Sequence, residues 1–237
     1  MKLSALVILS LFTFGGQFNA FAQKEVVYEK LQHFNIPADF MEHTIRNAER
    51  KYTYYYKLTS ADPDGNPLVS IAEYDPRRKT KKRWKLVSVN GGEPGGKGLK
   101  EFNRINNVKR EEATGRIDTS SFQVLENSDE VFSFSFIYEE GSVTGYRKYL
   151  EDCVGFVEID PKTGDVNHVR FKNQTDTKVR MFRCTYLDVE LDLEYMPETG
   201  IYVLKNEKST MTLHIFDNEV VIDEIGEYYD YQLIDDN

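Results

Sequence analysis

Apolar positions along most of this chain fall into short alternating runs bounded by turn residues, which is the pattern of β-strands; helical spacing occurs in only two places. In the first, Asn35, Ile36 and Pro37 offer a capping residue and an early proline, and Met41, Ile45, Ala48 and Tyr52 then recur at i, i+4, i+7 and i+11. Asp39 and Glu42 near its start, with Arg50 and Lys51 near its end, suit the helix dipole. The second is a short helix predicted over 98–108, with Leu99, Phe102 and Ile105 on one side. The rest reads as β. A strand at 53–60 turns at 62–66 and returns over 67–74, where Asp75-Pro76 stops it. Another runs over 83–90 and breaks at the glycine-rich 91–96, and residues 131–138 alternate strictly. A hairpin of 154–160 and 165–173 closes on Pro161-Lys162-Thr163-Gly164. The long strand at 179–195 needs a bulge, because its apolar set changes face between Tyr186 and Leu187. Strands at 200–205, 210–216, 219–225 and 228–233 complete the series, with no repeat or low-complexity linker between them. The predicted fold is mainly β (α+β): a single strongly curved antiparallel sheet, an unclosed half-barrel, with two short helices near the N-terminus.

The first residues follow a different pattern. Met1-Lys2 is a short positive start, residues 3–14 are an apolar run, and Ala20-Phe21-Ala22 supplies the small residues of a cleavage site before Gln23. This predicts a signal peptide at 1–22, cleaved after Ala22, and one domain over 23–237 that is periplasmic or secreted. No cysteine follows the site to carry a lipid, and no apolar run reaches the ~20 residues that span a bilayer.

An oxidising destination makes Cys153 and Cys184 candidates for a disulfide. Strand register argues against it: the residue facing Cys153 falls near Lys172, and Cys184 lies two strands away, so two unpaired buried thiols are expected. Thirty basic against 39 acidic residues give a net charge of −9, which disfavours nucleic acid as a partner. The 40% hydrophobic content is that of an ordinary globular chain. Its aromatic share is the unusual entry, with 15 Tyr and 15 Phe beside a single Trp.

Candidate chemistry is sparse. Residues 91–98 (GGEPGGKG) approach a phosphate-cradling loop, but Gly98 stands where a hydroxyl is needed and Pro94 removes a donor, so they read as a connector. His33, His43, His168 and His214 show no metal-ligand spacing, and no nucleophile motif occurs; neither cofactor nor catalysis is expected. Asp62 to Asn66 lacks the run of a calcium loop, and Asn173-Gln174-Thr175 is a formal glycosylation sequon. Arg77, Arg78, Lys79, Lys81, Lys82 and Arg83 form a basic segment that is either an anion site or a solvated loop. A third possibility is pairing with the acidic end of the chain, Asp223, Glu224, Glu227, Asp230, Asp235 and Asp236. The aromatic face Phe132, Phe134, Phe136 and Tyr138 must be hidden from water, and Tyr54, Tyr56, Phe156 and Phe171 can join it from other strands. It is either sheet–helix core or the wall of an apolar cavity.

The stretch from Tyr54 through Asp75-Pro76 to Arg83-Trp84-Lys85-Leu86-Val87-Ser88-Val89-Asn90-Gly91 resembles bacterial envelope proteins of the LolA/LolB lipoprotein-localisation fold. So do Gly155-Phe156-Val157-Glu158-Ile159-Asp160-Pro161-Lys162-Thr163-Gly164 and the closing Tyr228-Tyr229-Asp230-Tyr231. The resemblance implies an unclosed β-barrel covered by helices, with an apolar cavity that accepts acyl chains. The function expected from it is non-catalytic binding of a lipid, acylated peptide or other apolar ligand in the cell envelope. The alternative is an envelope-assembly or adhesion module that meets a protein partner through its charged patches, with the barrel interior as plain core.

Overall fold

The computed structural model describes residues 23–37, 40, 50–61, 65–107, 115–179 and 181–234. The predicted leader, the predicted helix residues Met41, His43, Ile45 and Ala48, the turn at 62–64, and Asp235 and Asp236 lie outside the described residues. Among those described, the strands are β1 (Tyr52–Ala61), β2 (Pro67–Tyr74), β3 (Trp84–Val89), β4 (Ile117–Asn127), β5 (Phe132–Tyr138), β6 (Cys153–Ile159), β7 (Val166–Asn173), β8 (Thr177–Val179), β9 (Phe182–Met196), β10 (Ile201–Ile215) and β11 (Asn218–Leu233). The main helices are α1 (23–33) and α2 (Gly96–Asn106), and a 3-10 segment spans Gly145–Asp152. No described helix is long and apolar enough to cross a membrane.

All eleven strands belong to one antiparallel sheet of order β3-β2-β1-β11-β10-β9-β7-β6-β5-β4, with β8 paired to β9. Short turns join sequence neighbours, so most of this order is a meander. Its long-range step is the pairing of β1 with β11. The sheet is not closed into a barrel: β3 and β4, consecutive in the chain and separated by α2, are its two edges.

The predicted strands at 53–60, 67–74, 83–90, 131–138, 154–160 and 165–173 are all present within a residue or two. The predicted pairs at 200–205 with 210–216, and at 219–225 with 228–233, are each one long strand. Both are bulged, β10 near its polar centre and β11 towards its end. Leu204 pairs Leu193 and Asn206 pairs Asp192, which makes Lys205 the extra residue of β10. In β11 the register with β1 shifts around Asp230, whose φ is +55°. The bulge expected in β9 falls at Thr185, just before the predicted place, and keeps Cys184 and Leu187 on one face.

Tyr52 opens β1 instead of ending a helix. Asn35 does not cap a helix start; it stops α1, at a φ of +57°, with the Ile36 N–H donating to the Leu31 carbonyl at 2.8 Å. Asparagine tolerates the left-handed conformation that such a stop requires. Helix α1 buries Val27 and Leu31 in the main core, its Tyr28 ring meets Phe122 edge-on at 5.9 Å, and Gln23 Oε1 accepts from the Val124 N–H at 3.1 Å. Phe132, Phe134, Phe136 and Tyr138 of β5 belong to the same core, and Phe122 meets Phe134 at 5.4 Å.

Cys153 faces Asn173 and Cys184 faces Thr177, and both thiols are free and buried. Burial pushes Cys153 up to about 12 and raises Cys184 as well, so neither is poised as a nucleophile.

The β10–β11 hairpin turns on Phe216 and Asp217, between the paired Ile215 and Asn218. Phe216 is 95% exposed and has a φ of +55°, at the turn position where a two-residue hairpin ordinarily uses glycine. Its ring contributes little burial, while its backbone is strained. Phe216→Gly is expected to raise unfolding free energy by about 1 kcal/mol, read as a higher urea midpoint at unchanged m-value.

Candidate functional site: an aromatic cavity spanning the sheet

Alternation along β1 puts Tyr54, Tyr56 and Leu58 on one face. Register sets Tyr74, Ala72 and Ser70 of β2 beside them on one side, and Tyr228 of β11 beside Tyr56 on the other. The rings form a continuous group: Tyr56 to Tyr228 at 4.7 Å, Tyr54 to Tyr74 at 5.0 Å, Tyr54 to Tyr231 at 5.1 Å, Tyr74 to Trp84 at 5.0 Å and Tyr54 to Trp84 at 5.7 Å. Gly226 makes room for it. A Cβ there would lie 2.7 Å from Cε2 of Tyr56, so the ring rests on bare backbone.

These residues line a cavity of about 780 Å³. Its wall also takes Leu86 and Val89 from β3, Phe102 and Ile105 from α2, Leu150 from the 3-10 segment, Phe171 from β7, Val189 and Leu191 from β9, and Leu204 from β10. Seven strands, from β3 across to β9 and β7, thus contribute to one space. Polar groups are few beside them: Glu101, Glu207, Glu224, Arg147, Ser70, Asn106 and the tyrosine hydroxyls. The Tyr228 hydroxyl donates to Glu207 Oε2 at 2.9 Å. Burial pushes both Tyr228 and Tyr56 upward, and the charge of Glu207 pushes them further, so both phenols stay neutral. Among the described residues no group of three His, Cys, Asp or Glu gathers as a metal site. His168 instead meets Asp192 at 3.0 Å, and His33 meets the Phe34 ring.

Of the residues read from the sequence as cavity wall, Tyr54, Tyr56 and Phe171 line it. Phe132, Phe134, Phe136 and Tyr138 lie in the adjoining core, and Phe171 joins the two regions, 6.0 Å from Phe136 and 6.3 Å from Tyr138. Phe156 is half-buried on the other face of β6, since its neighbours Gly155 and Val157 point inward.

None of the six basic residues lies on the described cavity wall. Arg77 donates through Nε and Nη2 to the Asp75 carboxylate at 2.9 and 3.1 Å, and Arg78 donates to Glu73 at 2.6 Å. The hydrogen bonds from Arg77 hold the Asp75 carboxyl below its ordinary range. The counter-charges of this pair are therefore local. Lys79, Lys81 and Lys82 are exposed, and Arg83 is half-buried.

Trp84, Tyr228, Tyr231 and Glu207 are among the wall residues that reading by sequence passed over. Trp84, Tyr228 and Tyr231 sit in strands that were recognised, so their period-2 positions were the available signal. Glu207 is signalled only from the far side, by alternation back from Leu213 and Met211, because the bulge at Lys205 breaks the alternation coming from Leu204. No protein-family model matches the chain, and neither a curated protein nor a solved structure matches it.

Proposed function

We propose that this chain is an exported, non-catalytic binding protein that holds a lipid, an acylated peptide or another apolar ligand in a cavity on the concave side of a strongly curved sheet. The observation that carries this reading is the cavity itself: about 780 Å³, walled mainly by aliphatic and aromatic side chains from seven strands and α2. Ligand pockets commonly have this size and composition, roughly 300–1,000 Å³ with a few placed polar groups. A sheet whose distant strands share one space bends around it, and a sheet left unclosed suits ligand entry better than a closed barrel. An open sheet over an apolar cavity is also what the LolA/LolB resemblance implies. Export rests on the leader pattern of residues 1–22.

Leu58 tests it. Its side chain is half-buried on the cavity wall, opposite Ser70 and the bare backbone of Gly226, so a larger ring there has to grow into the cavity. Leu58→Trp is expected to weaken uptake of a neutral fluorescent alkyl probe by about tenfold or more, the scale of a lost apolar contact of ~1.4 kcal/mol. Val87→Trp, at an exposed position on β3, is expected to leave uptake unchanged. Undiminished uptake by a folded Leu58→Trp variant would remove the cavity from consideration.

A further inference from the structure

One edge of the sheet is basic in an acidic protein. Residues 77–104 hold ten basic and two acidic residues, while the whole chain carries −9. They converge on β3 and α2. Strand β3 is an edge of the sheet and is entered from the basic segment 77–83. Helix α2 runs back along it. Gly92 bridges Val89 at the end of β3, and after the helix Asn107 returns to the start of the strand, accepting from the Trp84 N–H at 2.9 Å and donating to the Trp84 carbonyl at 2.8 Å. The helix turns Phe102 and Ile105 toward the cavity, and Lys97, Lys100 and Arg104 lie off the cavity wall. Alternation on β3 likewise sets Lys85 on the face opposite Trp84 and Leu86. Three cations of this edge are neutralised locally: Arg77 by Asp75, Arg78 by Glu73 and Arg104 by Glu101. Lys79, Lys81, Lys82, Lys85, Lys97 and Lys100 are exposed, and none of them meets a carboxylate among the described residues. Two apolar side chains stand among them, Val87 at 40% and Leu99 at 38% exposure.

Lysines gathered without counter-charge repel one another, and an anionic surface laid against them relieves that repulsion. Three features select the kind of surface. The exposed cations left unpaired on this edge are all lysines, which attract diffuse negative charge as points and do not grip one group in bidentate fashion. Apolar side chains are exposed between them, as on elements that sit at a lipid–water interface. The acidic remainder of the chain can turn away from a flat surface, but not from a flexible polyanion that wraps it. We propose that the β3–α2 edge docks on an anionic lipid bilayer. The choice of a bilayer rests in part on the reading of the cavity as an apolar binding site: β3 and α2 are walls of that cavity, and docking through them sets it at the membrane surface.

Co-sedimentation with lipid vesicles tests this, using the chain from Gln23 onward, which contains every described residue. Vesicles of about 30% phosphatidylglycerol in phosphatidylcholine are expected to bind it about tenfold or more tightly than pure phosphatidylcholine, and the difference is expected to fade between about 50 and about 500 mM salt. A Lys79→Gln/Lys81→Gln/Lys82→Gln variant is expected to lose about tenfold or more of that binding. Lys162→Gln/Lys178→Gln/Lys208→Gln removes the same charge from exposed positions away from this edge and is expected to bind as the wild type does. Equal loss in both variants, equal binding to the two kinds of vesicle, or capture of heparin without binding to vesicles each overturns the docking surface. Uptake of the neutral alkyl probe, measured on the same samples, separates this result from the cavity. Uptake without vesicle binding overturns the docking alone, and vesicle binding without uptake upholds the docking while overturning the cavity as a binding site.

Discussion

Phe134→Asp is expected to leave no cooperatively folded protein. The Phe134 ring is 1% exposed, meets Phe122 edge-on at 5.4 Å and Phe132 at 6.0 Å, and its strand is paired on both sides, with Val124 on β4 and Val157 on β6. Losing a buried phenylalanine side chain costs about 3–5 kcal/mol. A carboxyl group in its place, charged or neutral, adds a desolvation cost of several kcal/mol with no partner to offset it. The sum is comparable to the whole ~5–15 kcal/mol by which domains are ordinarily stable. Near-UV circular dichroism and a urea titration followed by Trp84 fluorescence check this directly: both tertiary signal and cooperative transition should be missing. A transition within about 2 kcal/mol of wild type would instead mean that water reaches this position. Phe134→Leu, which keeps the site apolar, should fold. Because Phe134 belongs to the core that α1 joins, its loss of function would report unfolding; ligand questions belong to Leu58 on the cavity wall.

This distinction marks how far the sequence was legible. Strands could be read where their cause is local: alternation and turn chemistry write Pro67–Tyr74 and Val166–Asn173 each into its own eight residues. Four rings in alternation on β5 could likewise be read as hidden from water. What hides them could not. Helix α1 shows just two strongly buried apolar residues, Val27 and Leu31, directly after a leader-like apolar run, and its stop signal Asn35 also suits a helix start. The cavity depends on facts of longer range. Tyr56 and Tyr228 are far apart in the chain and meet because β1 pairs β11. Glu207 shares the inner face with Leu204 because one extra residue, Lys205, shifts the alternation of β10, and an alternation carried straight through from Leu204 assigns it the wrong face. The same shift hides the unity of β10, since the lysine, asparagine and glutamate at its centre resemble a turn when taken in isolation. Bulges thus limited both readings, that of strand lengths and that of the site.

A bare backbone position beneath a ring is the other device that sequence pattern does not reveal, and on β6 it is testable with the largest effect outside Phe134. Gly155 faces Phe136 across the β5–β6 ladder, and a Cβ on it would lie 2.4 and 2.5 Å from two atoms of that ring. The ring has nowhere to go: Phe136 is fully buried, with Tyr138 at 5.6 Å and Phe171 at 6.0 Å. Gly155→Val should therefore cost about 3 kcal/mol, the upper range for overpacking a closed core. Strain of this kind is relieved by shrinking the opposing side chain, whereas a general loss of strand pairing is not. Phe136→Ala alone should cost about 3–5 kcal/mol by leaving a cavity. Combined with Gly155→Val, it should destabilise by about 1–2 kcal/mol less than the two separate effects added together, because the valine then occupies space that the ring has vacated. Urea unfolding of the two single variants and the double variant measures this coupling. Simple additivity would mean that Phe136 does not press on Gly155, and that glycine stands there for a reason other than the ring above it.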